Sequence, residues 1–236
     1  PLSQRFWIHD QRITLLLMKK QVSEKLDNFF SKFKKMSFKK DETILQASDQ
    51  PPGVLYLKKG YVRLYSLSSD AQELTLIIFR PDDFFPIMWA INDTPNNYYL
   101  ETMVNSELYL VPRKPFLKFI KNNNEVLFEI TSRILTRFGG ILTRMEYAIF
   151  GHADSKVASI ILICAERFGI KQGKNIFIQV PLTHQDIANL IGVARETVSI
   201  EIEKLQKKGL IEHRGKYLIV KNRQKLKEES VLESID

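Results

Sequence analysis

The spacing of hydrophobic positions divides the chain into a helical start, a stretch of short strands and a mainly helical second half. From Thr43 onward, short β-type runs alternate with Gly, Pro, Asn and Asp breaks. An amphipathic helical segment is predicted over residues 1–40, with helical spacing of Leu26, Phe29, Phe30 and Phe33. The β-type runs are Val54–Leu57, Val62–Leu67, Leu74–Phe79 and two more within Tyr98–Val111. Residues 41–123 are therefore predicted to form an antiparallel β-barrel or sandwich.

A long helix is predicted over residues 124–150. Its apolar positions advance in steps of three and four, and the resulting narrow stripe is typical of pairing with a second helix. The alternative is packing against the chain's own sheet. Gly139 and Gly140 interrupt the helix interior and either permit close approach of helices or mark a bend. The stripe consists of Leu127, Ile130, Ile134, Phe138, Ile141 and Met145.

The helical pattern breaks from Gly151 to Asp154, where we place a hinge and the start of a C-terminal domain over residues 151–222. Asp154 is placed to cap a helix that runs from Ser155 to Phe168. A loop over residues 169–175 and a strand from Ile176 to Val180 are expected to follow. Residues 223–236 are predicted to form a charged tail.

Two short helices joined by a tight turn are predicted after this strand. Thr183 and Asp186 have the spacing of a capping box at the start of the first helix. Gly192 suits a turn that needs a positive backbone angle. The second helix buries Val193, Val198, Ile202 and Leu205, while Arg195, Glu196 and Ser199 point outward.

This arrangement is typical of a helix-turn-helix, in which the second helix presents its first residues to the major groove of DNA. An arginine can pair with guanine and a glutamate can accept a hydrogen bond from cytosine. The β-type runs on either side of Arg214–Gly215 predict a hairpin with a basic tip, suited to contact phosphates. The alternative is a small helical packing unit that does not bind DNA.

Charge supports the DNA interpretation. The net charge is +8, and nine basic residues against the single acid Glu212 lie between Lys204 and Lys227. Such clusters attract phosphate through counterion release. Cys164 is the only cysteine, which favours a reducing, cytoplasmic interior. The apolar run from Ile13 to Met18 is too short to span a bilayer, and no membrane association is predicted.

The histidines are scattered along the sequence, so no metal site is predicted. No catalytic constellation or phosphate-binding glycine loop is present, and an enzyme is disfavoured.

The stretch Leu182–Ser199 closely resembles the helix-turn-helix of the bacterial CRP/FNR regulators. Gly209–Ile211 and Gly215–Lys216 match the wing of that family. Gly60–Val62 and Pro81–Phe85 are similar to parts of its cyclic-nucleotide-binding-like barrel. The resemblance covers roughly residues 29–222 and is most specific in the C-terminal domain.

The resemblance implies an α+β protein with a jelly-roll sensor barrel, a long dimerisation helix and a winged helix-turn-helix. It implies a homodimer that binds double-stranded DNA at a palindromic operator and interacts with RNA polymerase. Arg195, Glu196 and Ser199 would read bases. The residues expected to contact phosphates are Thr183, Gln185, Thr197, Arg214 and Lys216.

Three departures from the family pattern narrow this expectation. Ile200 stands where the family usually has an arginine, so the operator should differ at that position. Pro86–Ile87 and Asn97–Tyr98 replace the Gly-Glu and Arg-Ser pairs that hold cyclic AMP. The cysteine cluster of iron–sulfur members is missing. We therefore expect no cofactor and an effector that the sequence does not identify, with a ligand-independent regulator or a protein-interaction scaffold as the alternatives.

Overall fold

The computed structural model describes residues 21–231. The helices are α1 (residues 21–30), α2 (Ile87–Asn92), α3 (Arg113–Lys121), α4 (Asn124–Phe150), α5 (Ala153–Phe168), α6 (His184–Ile191), α7 (Arg195–Lys207) and α8 (Arg223–Glu228). The strands are β1 (Lys34–Phe38), β2 (Thr43–Leu45), β3 (Val54–Lys59), β4 (Val62–Leu67), β5 (Glu73–Phe79), β6 (Phe84–Phe85), β7 (Tyr99–Thr102), β8 (Ser106–Val111), β9 (Gly169–Gln172), β10 (Asn175–Ile178), β11 (Ile211–Arg214) and β12 (Tyr217–Val220).

The predicted fold class is confirmed. Strands β1 to β8 form two four-stranded sheets with the orders β1-β8-β3-β6 and β2-β7-β4-β5, the long helix α4 follows, and the sheet β11-β12-β10-β9 belongs to the C-terminal winged helix. Every strand predicted between residues 54 and 111 is present. The strand that the family resemblance implied within Pro81–Phe85 is present as β6, whereas the short strand β2 was not predicted, because three residues carry no readable alternation.

The prediction of a helical segment over residues 1–40 is only partly right. Residues 21–30 are helical, but Lys34–Phe38 forms strand β1, which pairs antiparallel with β8 in the register Lys34↔Leu110. Only Met36 and Phe38 supply apolar positions in this strand, and the surrounding lysines obscure the alternation. Residues 1–20, which include the apolar run Ile13–Met18, lie outside the described residues, as do residues 232–236.

The chain divides into two compact units. The first takes the chain up to Val62 together with Phe79–Arg137, and the second takes Arg63–Ile78 together with the chain from Phe138 onward.

Aromatic side chains fill the core of the first unit. Phe30 of α1 stacks on Tyr56 of β3, with ring centroids 4.5 Å apart, and it also lies next to Phe84. Phe116 of α3 contacts Phe84 at 5.7 Å. These four rings are buried, so α1 and α3 pack on the first sheet through aromatic contacts. Phe30 is one of the residues that helical spacing in the sequence placed on the apolar face of a helix.

The turn between β3 and β4 requires glycine. Gly60 has a φ of 98°, and a Cβ atom at this position would lie 2.1 Å from the hydroxyl oxygen of Ser106. A side chain would therefore clash as well as strain the backbone.

In the second unit, side chains from three helices hydrogen-bond to strand β5. Arg144 of α4 donates to the carbonyl oxygens of Leu76 and Thr75, at 2.8 Å and 3.2 Å. Arg167 of α5 donates to the carbonyl oxygen of Ile78, and Asn189 of α6 donates to the carboxylate of Glu73 at 2.9 Å. Since β5 is the last strand of its sheet, these bonds satisfy acceptors at the sheet edge.

Helix α4 has the predicted bounds and carries a wide apolar face that nothing within residues 21–231 covers. Phe128 is 72% exposed and Phe150 is 74% exposed. The prediction for Ile130 needs correction, because this side chain is 2% exposed and packs in the core of the first unit. Helices in the described part of the chain all lack the combination of length and apolar character needed to cross a membrane. The other large apolar residues exposed on α4 are Leu127, Ile134, Leu135, Phe138, Ile141, Leu142, Met145 and Ile149.

Three predictions for the C-terminal half are corrected. Helix α5 begins at Ala153, so Asp154 is not its cap but lies in the first turn, where its carboxylate accepts from the amide of Ser155 at 2.7 Å. The predicted loop over residues 169–175 contains strand β9, which pairs with β10. Strand β10 ends at Ile178, whereas the predicted strand ended at Val180. The predicted tail contains α8, because Leu226 is fully buried and anchors this short helix.

Candidate DNA-binding interface

The first helix of the helix-turn-helix, α6, begins with the predicted capping box. The Thr183 hydroxyl accepts from the amide of Asp186 at 3.1 Å, and the Asp186 carboxylate accepts from the amide of Thr183 at 2.8 Å. Two amides that a helix start leaves without partners are thus satisfied. This cap fixes the position at which α6 begins.

The turn between α6 and α7 depends on Gly192. Its backbone is left-handed, with a φ of 67°, and its amide donates to the carbonyl oxygen of Ala188 at 2.9 Å. A residue with a side chain would be strained in this conformation. The prediction of a tight glycine turn is confirmed.

Helix α7 presents charged residues on the side opposite its buried face. Val198, Ile202 and Leu205 are buried, while Arg195 and Glu196 are exposed in the first turn. Within residues 21–231, the side chains of Arg195 and Glu196 form neither a hydrogen bond nor an ion pair. Both are therefore available for an external partner.

Ser199 is in a different situation, because its hydroxyl is already occupied. It donates to the carbonyl oxygen of Arg195 at 3.0 Å and lies 2.7 Å from Nδ1 of His184. His184 also meets His213 of β11, with ring centroids 5.4 Å apart. The histidines His184 and His213 are thus brought together by the fold, although they are distant in the sequence.

The charged form of His184 is disfavoured. Partial burial, together with the proximity of His213 and Arg195, lowers the pKa of His184 below its usual value. A neutral imidazole with a proton on Nδ1 can donate to the Ser199 hydroxyl, which in turn donates to Arg195. This chain of hydrogen bonds links the start of α6 to the middle of α7.

Three of the residues predicted to contact phosphate also have partners in the protein, and one of them is Arg214, which pairs with Glu212 at 3.3 Å. The Thr183 hydroxyl donates to the Asp186 carboxylate at 2.6 Å. The Gln185 amide donates to Asn189 at 2.7 Å, and Asn189 in turn binds Glu73. Thr197 is half-buried on α7. The phosphate contacts of these residues stay predictions.

The wing consists of β11 and β12, which pair in the register Arg214↔Tyr217. The turn is therefore formed by Gly215 and Lys216, and Arg214 is the last residue of β11. Gly215 has a φ of 62°, as a two-residue hairpin turn requires. Arg214 and Lys216 are exposed at the tip, where they extend the basic surface.

Within residues 21–231, no group of three or more His, Cys, Asp and Glu side chains could hold a metal ion. Cys164 is buried in α5, and burial raises the pKa of its thiol to about 12. A protonated, inaccessible thiol is a poor nucleophile, in accord with a structural role.

The fold and this interface define a class of protein: a winged-helix DNA-binding chain that also carries a cyclic-nucleotide-binding-like β-domain. Residues 155–229 match the Crp-like helix-turn-helix domain, and residues 35–123 match the cyclic nucleotide-binding domain. The chain belongs to the CRP/FNR family of transcriptional regulators, whose members are not enzymes.

Curated relatives align over most of their length. The global nitrogen regulator of Nostoc sp. is 28% identical over 192 residues, covering 78% of this chain and 83% of the relative. A CRP-like cAMP-activated global transcriptional regulator of Mycobacterium tuberculosis is 25% identical over 192 residues, covering 81% of this chain and 85% of the relative.

Solved structures share the fold. A CooA mutant from Carboxydothermus hydrogenoformans has a TM-score of 0.72 at 22% identity, covering 85% of this chain and 89% of that chain. A CRP/FNR-family transcriptional regulator from Thermus thermophilus has a TM-score of 0.67 at 23% identity, covering 85% of this chain and 99% of that chain.

Proposed function

We propose that this protein is a homodimeric transcriptional regulator that binds a palindromic operator and does not respond to cyclic AMP. The observation that carries the proposal is the pair Arg195 and Glu196, exposed in the first turn of α7 without partners in the described chain. Guanidinium and carboxylate groups at the start of a recognition helix can read guanine and cytosine. Arg214 and Lys216 at the wing tip supply the charge that holds a phosphate backbone.

A matched pair of variants tests this interface. Arg195→Ala should lower affinity for the operator and relax specificity at one base pair, since a bidentate contact contributes about 1–3 kcal/mol. Lys216→Ala should weaken binding to all duplexes alike and reduce the slope of log K against log salt by about 1 per protomer. Selection of an operator from random duplexes, followed by fluorescence anisotropy across a salt series, measures both effects.

Each variant is the control for the other. Arg195→Ala should leave the salt slope nearly unchanged, and Lys216→Ala should leave the base preference unchanged. If the wild-type protein preferred no duplex over competitor DNA, the regulator proposal would be wrong and a protein-interaction scaffold would remain.

The homodimer is supported by the apolar face of α4. Large exposed apolar patches on soluble proteins mark association sites, and the face extends from Leu127 to Phe150. A two-fold symmetric dimer of winged helices would place two recognition helices in successive major grooves. The operator should then have half-site centres about 10 base pairs apart.

The absence of a response to cyclic AMP is supported by the segment between Phe84 and Tyr99, whose only charged side chain is Asp93. Asp93 pairs with Arg113 at 3.0 Å, and Arg113 also donates to the carbonyl oxygen of Ala90 at 2.9 Å. No arginine in this segment can take the cyclic phosphate and no free carboxylate can take the ribose.

Cyclic AMP should therefore leave the affinity for the operator unchanged in anisotropy titrations. A tightening of about fivefold or more, within the usual range of allosteric coupling, would contradict the proposal. Affinity for DNA that is independent of every added metabolite would favour a ligand-independent regulator. Interaction with RNA polymerase and a cytoplasmic location follow from the same proposal.

A further inference from the structure

The outward side of α7 carries one apolar residue among charged ones. Ile200 is 54% exposed and lies one helical turn after Glu196 on the same side. Further along α7, charged residues pair with each other, as Lys204 does with Glu201 and Lys207 with Glu203. Ile200 is thus an isolated aliphatic group within the surface that presents Arg195 and Glu196.

The residues next to Ile200 on α7 are hydrogen-bonded within the protein or buried, so Ile200 is the side chain that this part of the helix presents to DNA. The single proton of the Ser199 hydroxyl is used in the bond to the carbonyl oxygen of Arg195, and the same oxygen lies 2.7 Å from Nδ1 of His184, so Ser199 cannot donate to a base without breaking the bond to Arg195. Burial of Val198 and Ile202 holds the helix in one rotational setting. When α7 lies in a major groove with Arg195 and Glu196 against base edges, Ile200 faces the bases as well.

We infer that Ile200 selects a thymine in each half-site by packing against its C5 methyl group, an inference that rests on the proposed function. The thymine methyl is the apolar group that the major groove offers, and aliphatic side chains recognise it by contact. An isoleucine cannot donate to guanine or accept from cytosine, so it would leave their polar edges without partners. Packing of Ile200 against this methyl group removes apolar surface of both groups from water, which is favourable.

The helix geometry places this thymine relative to the Glu196 contact. Four residues of α-helix advance about 6 Å, and base pairs are about 3.4 Å apart. The thymine should therefore lie one or two base pairs beyond the pair read by Glu196. The two-fold symmetry of a dimer repeats it in the other half-site.

Deoxyuridine substitution isolates the methyl group. With the full-length protein and a selected operator, each thymine is replaced singly by deoxyuridine, which removes only the C5 methyl and retains base pairing. At one position per half-site, the wild-type protein should lose about fourfold in affinity, as expected for one methyl group removed from water. Ile200→Ala should bind the thymine and deoxyuridine operators equally.

Ile170→Ala is the matched control, because Ile170 is 47% exposed on β9, outside α7. It should keep the full fourfold discrimination. Ile200→Arg should shift the selected base at this position to guanine. Unfolding midpoints and non-specific binding at low salt show that each variant is folded.

The inference is overturned if the wild-type protein binds every deoxyuridine operator as tightly as the thymine operator. It is also overturned if Ile200→Ala keeps the discrimination. Both results are obtained on an operator that the protein selects, so they leave the proposed function intact. If the proposed function is wrong, the selection from random duplexes that precedes this experiment will return no preferred duplex. That result would overturn both the proposed function and the inference about Ile200.

Discussion

His184 links three parts of the winged helix. It is the first residue of α6, its Nδ1 atom lies 2.7 Å from the Ser199 hydroxyl on α7, and its ring meets His213 of the wing. Protonation of His184 would place a positive charge beside Arg195 in a partly buried site. The folded protein therefore disfavours the protonated form of His184.

The lowered pKa of His184 predicts how stability depends on pH. As pH falls below the ordinary value of 6.5, the unfolded chain takes up the proton before the folded chain does. The free energy of unfolding should therefore decrease from about pH 7.5 to about pH 5.5. In His184→Gln this decrease should be smaller, because glutamine can still bond to Ser199 and carries no titrating group.

Urea unfolding at the two pH values measures this difference. His152→Gln is the control, since His152 is exposed before α5 and its side chain makes no cap hydrogen bond. An equal loss of stability in the wild-type protein and in His184→Gln would show that His184 is not the group responsible.

Helix α4 is continuous through its two adjacent glycines. A Cβ atom added at Gly140 would meet no atom within 4 Å. Gly140 lies about 200° around the helix from Phe138, which places it away from the exposed apolar face. Neither a bend nor close packing within the described chain explains glycine at this position.

Gly140→Ala should therefore raise the free energy of unfolding by about 1 kcal/mol and leave the association state unchanged. Gly192→Ala is the contrasting control and should destabilise the protein, because the φ of 67° at that position is strained for alanine. Urea unfolding and sedimentation equilibrium follow the two quantities. A loss of association in Gly140→Ala would show that helices approach each other closely on that side.

Binding of two half-sites requires two recognition helices, and therefore requires two copies of the chain to associate. The exposed face of α4 follows a seven-residue repeat through Phe128, Leu135, Leu142 and Ile149. Such a repeat on a long helix is typical of pairing with a second helix, here from another copy of the chain. DNA affinity and oligomeric state should therefore change together.

Phe138→Glu should raise the dimer dissociation constant at least about 100-fold, because symmetry places the charge in the interface twice. Operator affinity should fall with it, while non-specific affinity per protomer stays the same. Met88→Glu is the control, since Met88 is 52% exposed on α2, outside the α4 face. Sedimentation equilibrium that finds wild type and Phe138→Glu equally dimeric, or wild type monomeric, would contradict the homodimer.

Local sequence signals were enough for the elements whose stabilising contacts lie within a few residues. The capping box joins Thr183 and Asp186, which are three residues apart, by hydrogen bonds. Gly192 can adopt the left-handed backbone conformation of the turn because it has no side chain. The bounds of α4 followed from a long apolar period, and the outward position of Arg195 and Glu196 followed from the period of α7. Burial of one side of a helix dictates such periods, so they can be read before any partner is known.

Tertiary structure decided what distant residues do together. Strands β1 and β9 and helix α8 have weak local patterns, and they form because β8, β10 and α5 offer them partners. Arg144 meets the Thr75 carbonyl across 69 residues of chain, and Ile130 faces the core of the first unit instead of the exposed stripe. The sequence by itself determined the helix-turn-helix and the long helix, because periodicity and capping are local. The occupied hydroxyl of Ser199, the meeting of His184 with His213 and the isolation of Ile200 depended on how the elements pack.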